Sequence, residues 1–204
     1  MAYDLARLRV LVVDDNKYMR KLLTTTLKAL SVVTIDEAAC GESALALVHN
    51  KQPDLVIADW RMEPMDGIEM TRQIRTDPAT PNPYVPIIMV SGFGEKRRVL
   101  QARDAGVTEF LVKPFTGKTL SQRITEVIDN PRQFVRTAGY FGPDRRRKMT
   151  LDYDGPERRA AAKAAAAKLA ADSAGTGSET AAQPKSLAEA GARVRALVEG
   201  YSKS

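Results

Sequence analysis

Five short apolar runs alternate with segments of helical periodicity along the first 130 residues, and this alternation constrains the fold more than any other feature. The runs are Leu8–Val13, Val32–Ile35, Leu55–Ala58, Ile87–Val90 and Phe110–Val112. After the first run, Met19, Leu22, Leu23, Thr26, Leu27 and Leu30 recur at helical spacing. Helical patterns follow over Glu42–His49 (with Gly41 as the turn before it), Ile68–Ile74, 95–104 (ending at Gly106) and Leu120–Ile128. Strands that stay apolar along their length, separated by helices, predict a parallel sheet covered on both faces. Right-handed crossovers then give an α/β fold, a doubly wound five-stranded (βα)5 sandwich over residues 1–130.

In open sheets of this kind, sites form at the carboxyl ends of the strands. Asp14 and Asp15 end the first run, Asp59 the third and Ser91 the fourth, while Lys113, followed by Pro114, ends the fifth. Carboxylates gathered there repel and need a cation, and hard oxygen ligands without His or Cys select Mg²⁺ or Mn²⁺. An exposed aspartate beside such a metal can act as a nucleophile toward a phosphoryl group. The metal, a hydroxyl and an ammonium can balance the phosphoryl oxygens. A lone acid at a strand end is usually just solvated; the joint occurrence at four strand ends is much more specific.

With VLVVDD (10–15), IADW (57–60), MDG (65–67), VSG (90–92) and LVKPFT (111–116), the chain resembles a bacterial response-regulator receiver domain of the CheY-like single-domain kind, with a flavodoxin-like fold. The resemblance covers about residues 5–130. It implies that Asp59 accepts a phosphoryl group from a histidine kinase or phosphotransfer protein. It further implies that Asp14, Asp15, Asp59 and the backbone carbonyl of Arg61 hold Mg²⁺. Ser91 and Lys113 would sense the phosphoryl group, and Phe110 would occupy the aromatic switch position. Two departures stand out: Met62-Glu63-Pro64 replaces the usual Met-Pro order, and Phe110 lacks a hydroxyl. Trp60 reads as cover for the site and His49 as a helix-surface residue. GFGEKRR (92–98) lacks the pattern of a phosphate-binding loop. Without zinc spacing, a second carboxylate pocket or a nucleophile–His pair, the only expected chemistry is self-phosphorylation and dephosphorylation at Asp59.

Charge is distributed unevenly. Residues 1–130 carry 17 basic and 17 acidic side chains, and residues 131–204 carry 14 and 8, so the whole net charge of +6 lies beyond residue 130. Pro131 is expected to end the folded unit, and 131–160 reads as an arginine-rich extension too polar to build a core. Residues 161–204 read as an Ala-rich, low-complexity linker with a short terminal helix from Ser186, capped by Ser186 and Glu189. Cys40 is alone, the start lacks signal-peptide order, and no apolar run approaches the roughly 20 residues needed to span a bilayer. A cytoplasmic protein is expected.

The extension contains a near-repeat. Tyr140, Gly142, Pro143, Asp144, Arg145 and Arg146 recur thirteen residues later as Tyr153, Gly155, Pro156, Glu157, Arg158 and Arg159. Each unit reads as a tight Gly-Pro turn, an acid and an arginine pair. An arginine fork matches phosphate oxygens and the O6/N7 edge of guanine, and a carboxylate accepts from guanine N1–H and N2–H₂. Two units suit a ligand with two guanines and two phosphates, and cyclic di-GMP is of that kind. Gly142-Pro143-Asp144-Arg145-Arg146-Arg147 and Gly155-Pro156-Glu157-Arg158-Arg159 resemble the extension of the Cle proteins, CheY-like proteins that bind cyclic di-GMP, with Ala160 replacing a third arginine. That resemblance implies a ligand set of Arg136, Tyr140, Gly142, Asp144, Arg145, Arg146, Arg147, Tyr153, Gly155, Glu157, Arg158 and Arg159. It also implies a signalling protein whose ligand controls binding to a flagellar motor component or another target. The competing reading is a phosphorylation-driven adaptor whose basic tail meets an acidic protein face. Nucleic-acid binding is disfavoured, because there is no recognition helix and acids interrupt the arginines.

Overall fold

The computed structural model describes residues 5–137 and 139–145. A short 3-10 turn at Leu5–Arg7 precedes β1 (Arg9–Val13), α1 (Lys17–Ala29), β2 (Thr34–Ala38), α2 (Gly41–Lys51), β3 (Leu55–Asp59) and α3 (Gly67–Thr76). The chain continues through β4 (Ile87–Ser91), α4 (Lys96–Ala105), β5 (Glu109–Val112) and α5 (Gly117–Asp129) to a hairpin of β6 (Phe134–Thr137) and β7 (Tyr140–Pro143). The first five strands form one parallel sheet in the order β2-β1-β3-β4-β5. This is the expected doubly wound, flavodoxin-like architecture, with its chain reversal between β1 and β3.

Alternation along the strands divides the core. Val10 and Val12 face a layer with Leu23 and Leu27 of α1 and with Leu120 and Ile124 of α5. Leu11 and Val13 face the opposite layer, with Ala44 and Val48 of α2 and Met70 and Ile74 of α3. A third cluster joins Trp60, Ile68 and Met89 to Ala102 and Ala105 of α4. Side-chain caps start three helices: Asn16 accepts from Tyr18 and Met19, Asp66 from Glu69, and Thr116 from Thr119. Each such cap stabilises its helix by about 1 kcal/mol. Gly106, at φ 98°, ends α4 in the left-handed region that favours glycine.

The second strand begins at Thr34 rather than Val32. Val32 is instead buried beneath the end of α1, its N–H bonded to Leu27 O at 3.0 Å. β2 is an edge strand, so Asp36 and Glu37 sit in it without breaking the core, and its apolar pattern is correspondingly weak.

The larger difference lies beyond Pro131. The folded unit continues to Arg145, because residues 134–143 pair as an antiparallel hairpin, Phe134 opposite Pro143 and Thr137 opposite Tyr140. Its core is aromatic. Tyr84, Phe134 and Phe141 meet with ring centroids 5.3–5.7 Å apart. The Arg75 guanidinium lies 5.0 Å from the Phe134 ring. Arg75 is buried; its Nε donates to Gly106 O (3.0 Å) and its Nη1 to Pro83 O (2.7 Å). Burial pushes the Arg75 guanidinium down to about 9, which leaves it charged at neutral pH. Arg132 reaches back to buried Glu109 at 2.6 Å, beside Arg123 at 3.4 Å. Two aromatic residues and one arginine thus let a polar segment dock on a core that already exists.

Candidate functional site

The site lies at the carboxyl end of the sheet, where β1 and β3 diverge. Asp14, 1% exposed, and Asp59, 8% exposed, face each other there. The Lys113 ammonium stands between them, 3.1 Å from Asp14 Oδ2 and 2.7 Å from Asp59 Oδ1. Lys113 follows β5 and is joined to Pro114 by a cis peptide, while its own N–H donates to Ser91 O at 2.7 Å. Asparagine and arginine neighbours orient the rest. Asn16 N–H donates to Asp14 Oδ1 (2.8 Å), Arg61 N–H to Asp59 Oδ2 (2.9 Å), and Arg20 Nη1 to the carbonyls of Asp14 (2.7 Å) and Asp15 (3.2 Å).

Burial pushes the Asp14 carboxyl up, against the Asn16 N–H and Lys113, which pull it down. For Lys113, burial works downward, but the hydrogen bonds and charges of Asp59 and Asp14 outweigh it and hold the ammonium above its ordinary value. An ammonium shared by two carboxylates is a charge-neutralising bridge, and it leaves one negative charge in excess.

The expected trio of carboxylates is only partly assembled. Asp14 and Asp59 pair through Lys113, Asp15 is exposed, and among the described residues no three acidic, His or Cys side chains cluster tightly enough to hold an ion by themselves. The physical reason is that Lys113 satisfies the two inner carboxylates. Ser91 is buried at the end of β4, and its Oγ accepts from Phe93 N–H at 3.1 Å. Phe110 is half-buried and meets Trp60 edge-on at 6.2 Å. Trp60 is 5% exposed and packs in the third core cluster, with Arg98 5.5 Å from its ring. Gly67 must be glycine, since a Cβ there would lie 2.2 Å from Asp59 O. The 62–64 loop contains a cis Glu63–Pro64 bond.

Sequence reasoning missed Asn16, Arg20 and Arg98. An Asn directly before a helical pattern is a cap signal that points to Asn16. Arg20 and Arg98 give no such signal, because only the folded chain brings Arg20 to the Asp14 and Asp15 carbonyls and Arg98 over the Trp60 and Phe93 rings. His49, read as a surface residue, makes a long contact to Asp77 at 4.0 Å.

On the hairpin, Arg136 and Arg145 are exposed, each over an aromatic ring: Arg136 4.5 Å from Phe141, and Arg145 4.0 Å from Tyr140. Arg145 also pairs with Asp104 at 3.4 Å. Gly142 and Pro143 are not a tight turn: they end β7 and are buried. A Cβ at Gly142 would lie 2.7 Å from Tyr140 Oη and 2.8 Å from Gly106 Cα, so this glycine serves packing. Asp144 follows the strand, its N–H bonded to Gln133 O. Arg146, Arg147, Tyr153, Gly155, Glu157, Arg158 and Arg159, and the 161–204 segment, lie outside the described residues.

The 2-1-3-4-5 sheet, with an aspartate pair bridged by a lysine at its chain reversal, defines a doubly wound α/β domain with an acidic pocket at its carboxyl edge. The response regulator receiver domain family matches residues 10–125, more than half of the chain, and the chain belongs to that family. It is CheY-like. Over 122 residues, 60% of this chain and 97% of the relative, it is 31% identical to the chemotaxis protein CheY of Pseudomonas aeruginosa. It is 30% identical to the chemotaxis protein CheY-3 of Vibrio cholerae, again over 60% of this chain and 92% of the relative. The solved structure of the chemotaxis response regulator CheY4 of Vibrio cholerae superposes with a TM-score of 0.55 at 29% identity, over 59% of this chain and 98% of that one.

Receiver domains generally bind Mg²⁺ at the acidic pocket. The carboxylates of Asp14 and Asp59, and of the exposed Asp15, are hard oxygen donors of the kind that suits a small hard cation. Among the described residues, no helix is long and apolar enough to cross a membrane.

Proposed function

We propose that this response regulator takes a phosphoryl group on Asp59 from a histidine kinase or phosphotransfer protein, and that its extension binds cyclic di-GMP. The observation that carries the first part is the Lys113 ammonium held 2.7 Å from Asp59 Oδ1. A carboxylate oxygen of Asp59 attacks phosphorus, a P–O bond forms, the donor's P–N bond breaks, and the released imidazole takes up a proton. Lys113 is placed to follow the new phosphoryl oxygens as they replace the carboxylate charge, with the Ser91 hydroxyl on the adjoining strand. Mg²⁺, when bound by Asp14, Asp15, Asp59 and the Arg61 carbonyl, supplies neutralisation of phosphoryl charge. Acceptance and hydrolysis at Asp59 are the only chemistry in this reading. Labelling with a small phosphodonor tests it: the wild type incorporates phosphate and Asp59→Asn does not, whereas equal labelling removes the assignment.

The second part is supported by the near-repeat and by Arg136 and Arg145, two exposed guanidinium groups over aromatic rings on one hairpin. A guanidinium backed by a ring keeps its outer face for a base, and at Arg145 a phosphate would compete with Asp104, 3.4 Å away, for its edge. The signal then passes by protein–protein contact to a target such as a flagellar motor component, in the cytoplasm. Calorimetric titration of cyclic di-GMP into the full chain should show binding. Arg145→Ala and Arg158→Ala should each weaken it by about 1.5–3 kcal/mol, the scale of a charge-assisted hydrogen bond. Absence of binding by the full chain instead favours an adaptor driven by phosphorylation alone, with the basic tail on an acidic protein face.

A further inference from the structure

Helix α4 runs from the surroundings of the acidic pocket at one end to the hairpin at the other, alongside α3, whose Gly67 lies against Asp59 and whose Arg75 lies over Phe134. At its start, Arg98 lies 5.5 Å from the Trp60 ring and 4.6 Å from the Phe93 ring. Trp60 directly follows Asp59, and Phe93 N–H donates to Ser91 Oγ. At its end, three kinds of contact come from the hairpin. Tyr140 Oη, which donates to Pro143 O within the hairpin at 2.7 Å, also lies 3.4 Å from Arg103 O of α4. Arg145 pairs with Asp104 at 3.4 Å. Gly142 lies so close to the Gly106 cap that a Cβ would approach Gly106 Cα to 2.8 Å. Arg75 closes the set, donating to Gly106 O while its guanidinium stacks on Phe134. Its Nη2 is buried without a partner, and this cation is held by one hairpin ring, Phe134, and by the carbonyls of Gly106 and Pro83.

We infer that the β6–β7 hairpin is a strap on the C-terminal end of α4 through which residues 131–145 and the acidic pocket influence each other. The physical basis is the stiffness of one helix. Ten residues span about 15 Å, and a tilt imposed at the Gly106 cap moves Arg98 relative to Trp60. Arg132, bonded to Glu109 at 2.6 Å, ties the start of the same segment to the residue before Phe110. Energetic coupling between two sites is reciprocal, so a pocket that shifts α4 also changes how firmly the hairpin docks. The strap requires no nucleotide at the extension.

Trp60 is the sole tryptophan, so its emission reports on the pocket end of α4 in the full chain. The test compares wild type with Gly142→Ala and with the milder Tyr140→Phe, which keeps the ring and removes the hydroxyl's contacts to Pro143 O and Arg103 O. Amide exchange is read by peptide, together with Trp60 emission. The strap predicts at least threefold faster exchange over 92–99 as well as over 134–143, with a shifted Trp60 emission. Faster exchange confined to 134–143, with 92–99 and Trp60 unchanged in both variants, overturns it. A reciprocal arm adds beryllium fluoride and Mg²⁺ to the wild type. Slower or faster exchange at 134–143 supports the strap, and a Trp60 response with an unaltered hairpin counts against it. If Trp60 does not respond to beryllium fluoride at all, the phosphoacceptor reading suffers and the two variants alone decide the strap.

Discussion

Phe134→Ala probes whether the segment after α5 belongs to the folded unit. Phe134 meets Tyr84 at 5.3 Å, Phe141 at 5.7 Å and the Arg75 guanidinium at 5.0 Å. A ring pair contributes about 0.5–1.5 kcal/mol beyond buried area, and a cation over a ring about 0.5–2 kcal/mol. A fully buried phenyl costs about 3–5 kcal/mol to truncate, and Phe134 is only half-buried, so the expected loss is about 2–4 kcal/mol. The loss saturates once the hairpin has come away, because the β1–β5 sheet does not rest on it. Native-state hydrogen exchange is therefore the right assay. Amides of Phe134–Thr137 should lose about 30- to 800-fold in protection, at about 1.4 kcal/mol per factor of ten, while those of β1 and β3 stay as they were. Phe134→Leu should recover part of the loss through retained burial. Wild-type amides in β6 and β7 with no protection, or protection equal in wild type and Phe134→Ala, would refute the docked hairpin.

Three further outcomes are expected. Lys113→Met leaves Asp14 and Asp59 facing each other without their bridge. Stability measured by urea in chelator at pH 7 should fall by about 2–4 kcal/mol, under the fully buried range because Lys113 is 23% exposed. Burial already holds the Asp14 carboxyl above its ordinary value, so removing the ammonium raises it further. The protonated form is then favoured in the folded state, so the deficit should shrink toward pH 5, and a deficit that grows with acid contradicts this. Gly67→Ala forces a methyl to 2.2 Å from Asp59 O, so the urea midpoint should drop by the equivalent of about 1–3 kcal/mol and Trp60 emission should shift; an unaltered midpoint and spectrum would contradict the packing. Removal of residues 165–204 should leave cyclic di-GMP affinity unchanged, which titration of the shortened chain checks against the full one.

The pocket was legible because its chemistry is written at strand ends. Asp14, Asp59, Ser91 and Lys113 each follow a short apolar run, and a parallel sheet brings such ends to one edge whatever the loops do. What could not be read is which partner each group chooses. Lys113 lies 99 residues from Asp14, and its bridge to both aspartates is a distance, not a pattern. The hairpin was opaque for a related reason. Phe134, Tyr140 and Phe141 are too few and too close to charges to predict a core by periodicity. They need Tyr84 from the β4 approach and Arg75 from α3 to complete one.

The repeat shows the same division. Gly142-Pro143-Asp144-Arg145 reads as a turn because Gly and Pro favour turns locally, yet here they finish a strand, because Gly142 fits against the Gly106 cap of α4. The sequence by itself determined the alternation of elements, the sheet they build, the acidic strand ends and the uneven charge. These follow from local periodicity and residue chemistry. Tertiary structure alone decided the lysine bridge, the place of Asp15 outside it, the aromatic dock for the hairpin and the grip of both on α4. Each of those depends on groups far apart in the chain meeting at a few ångströms, and local propensity carries no information about such meetings.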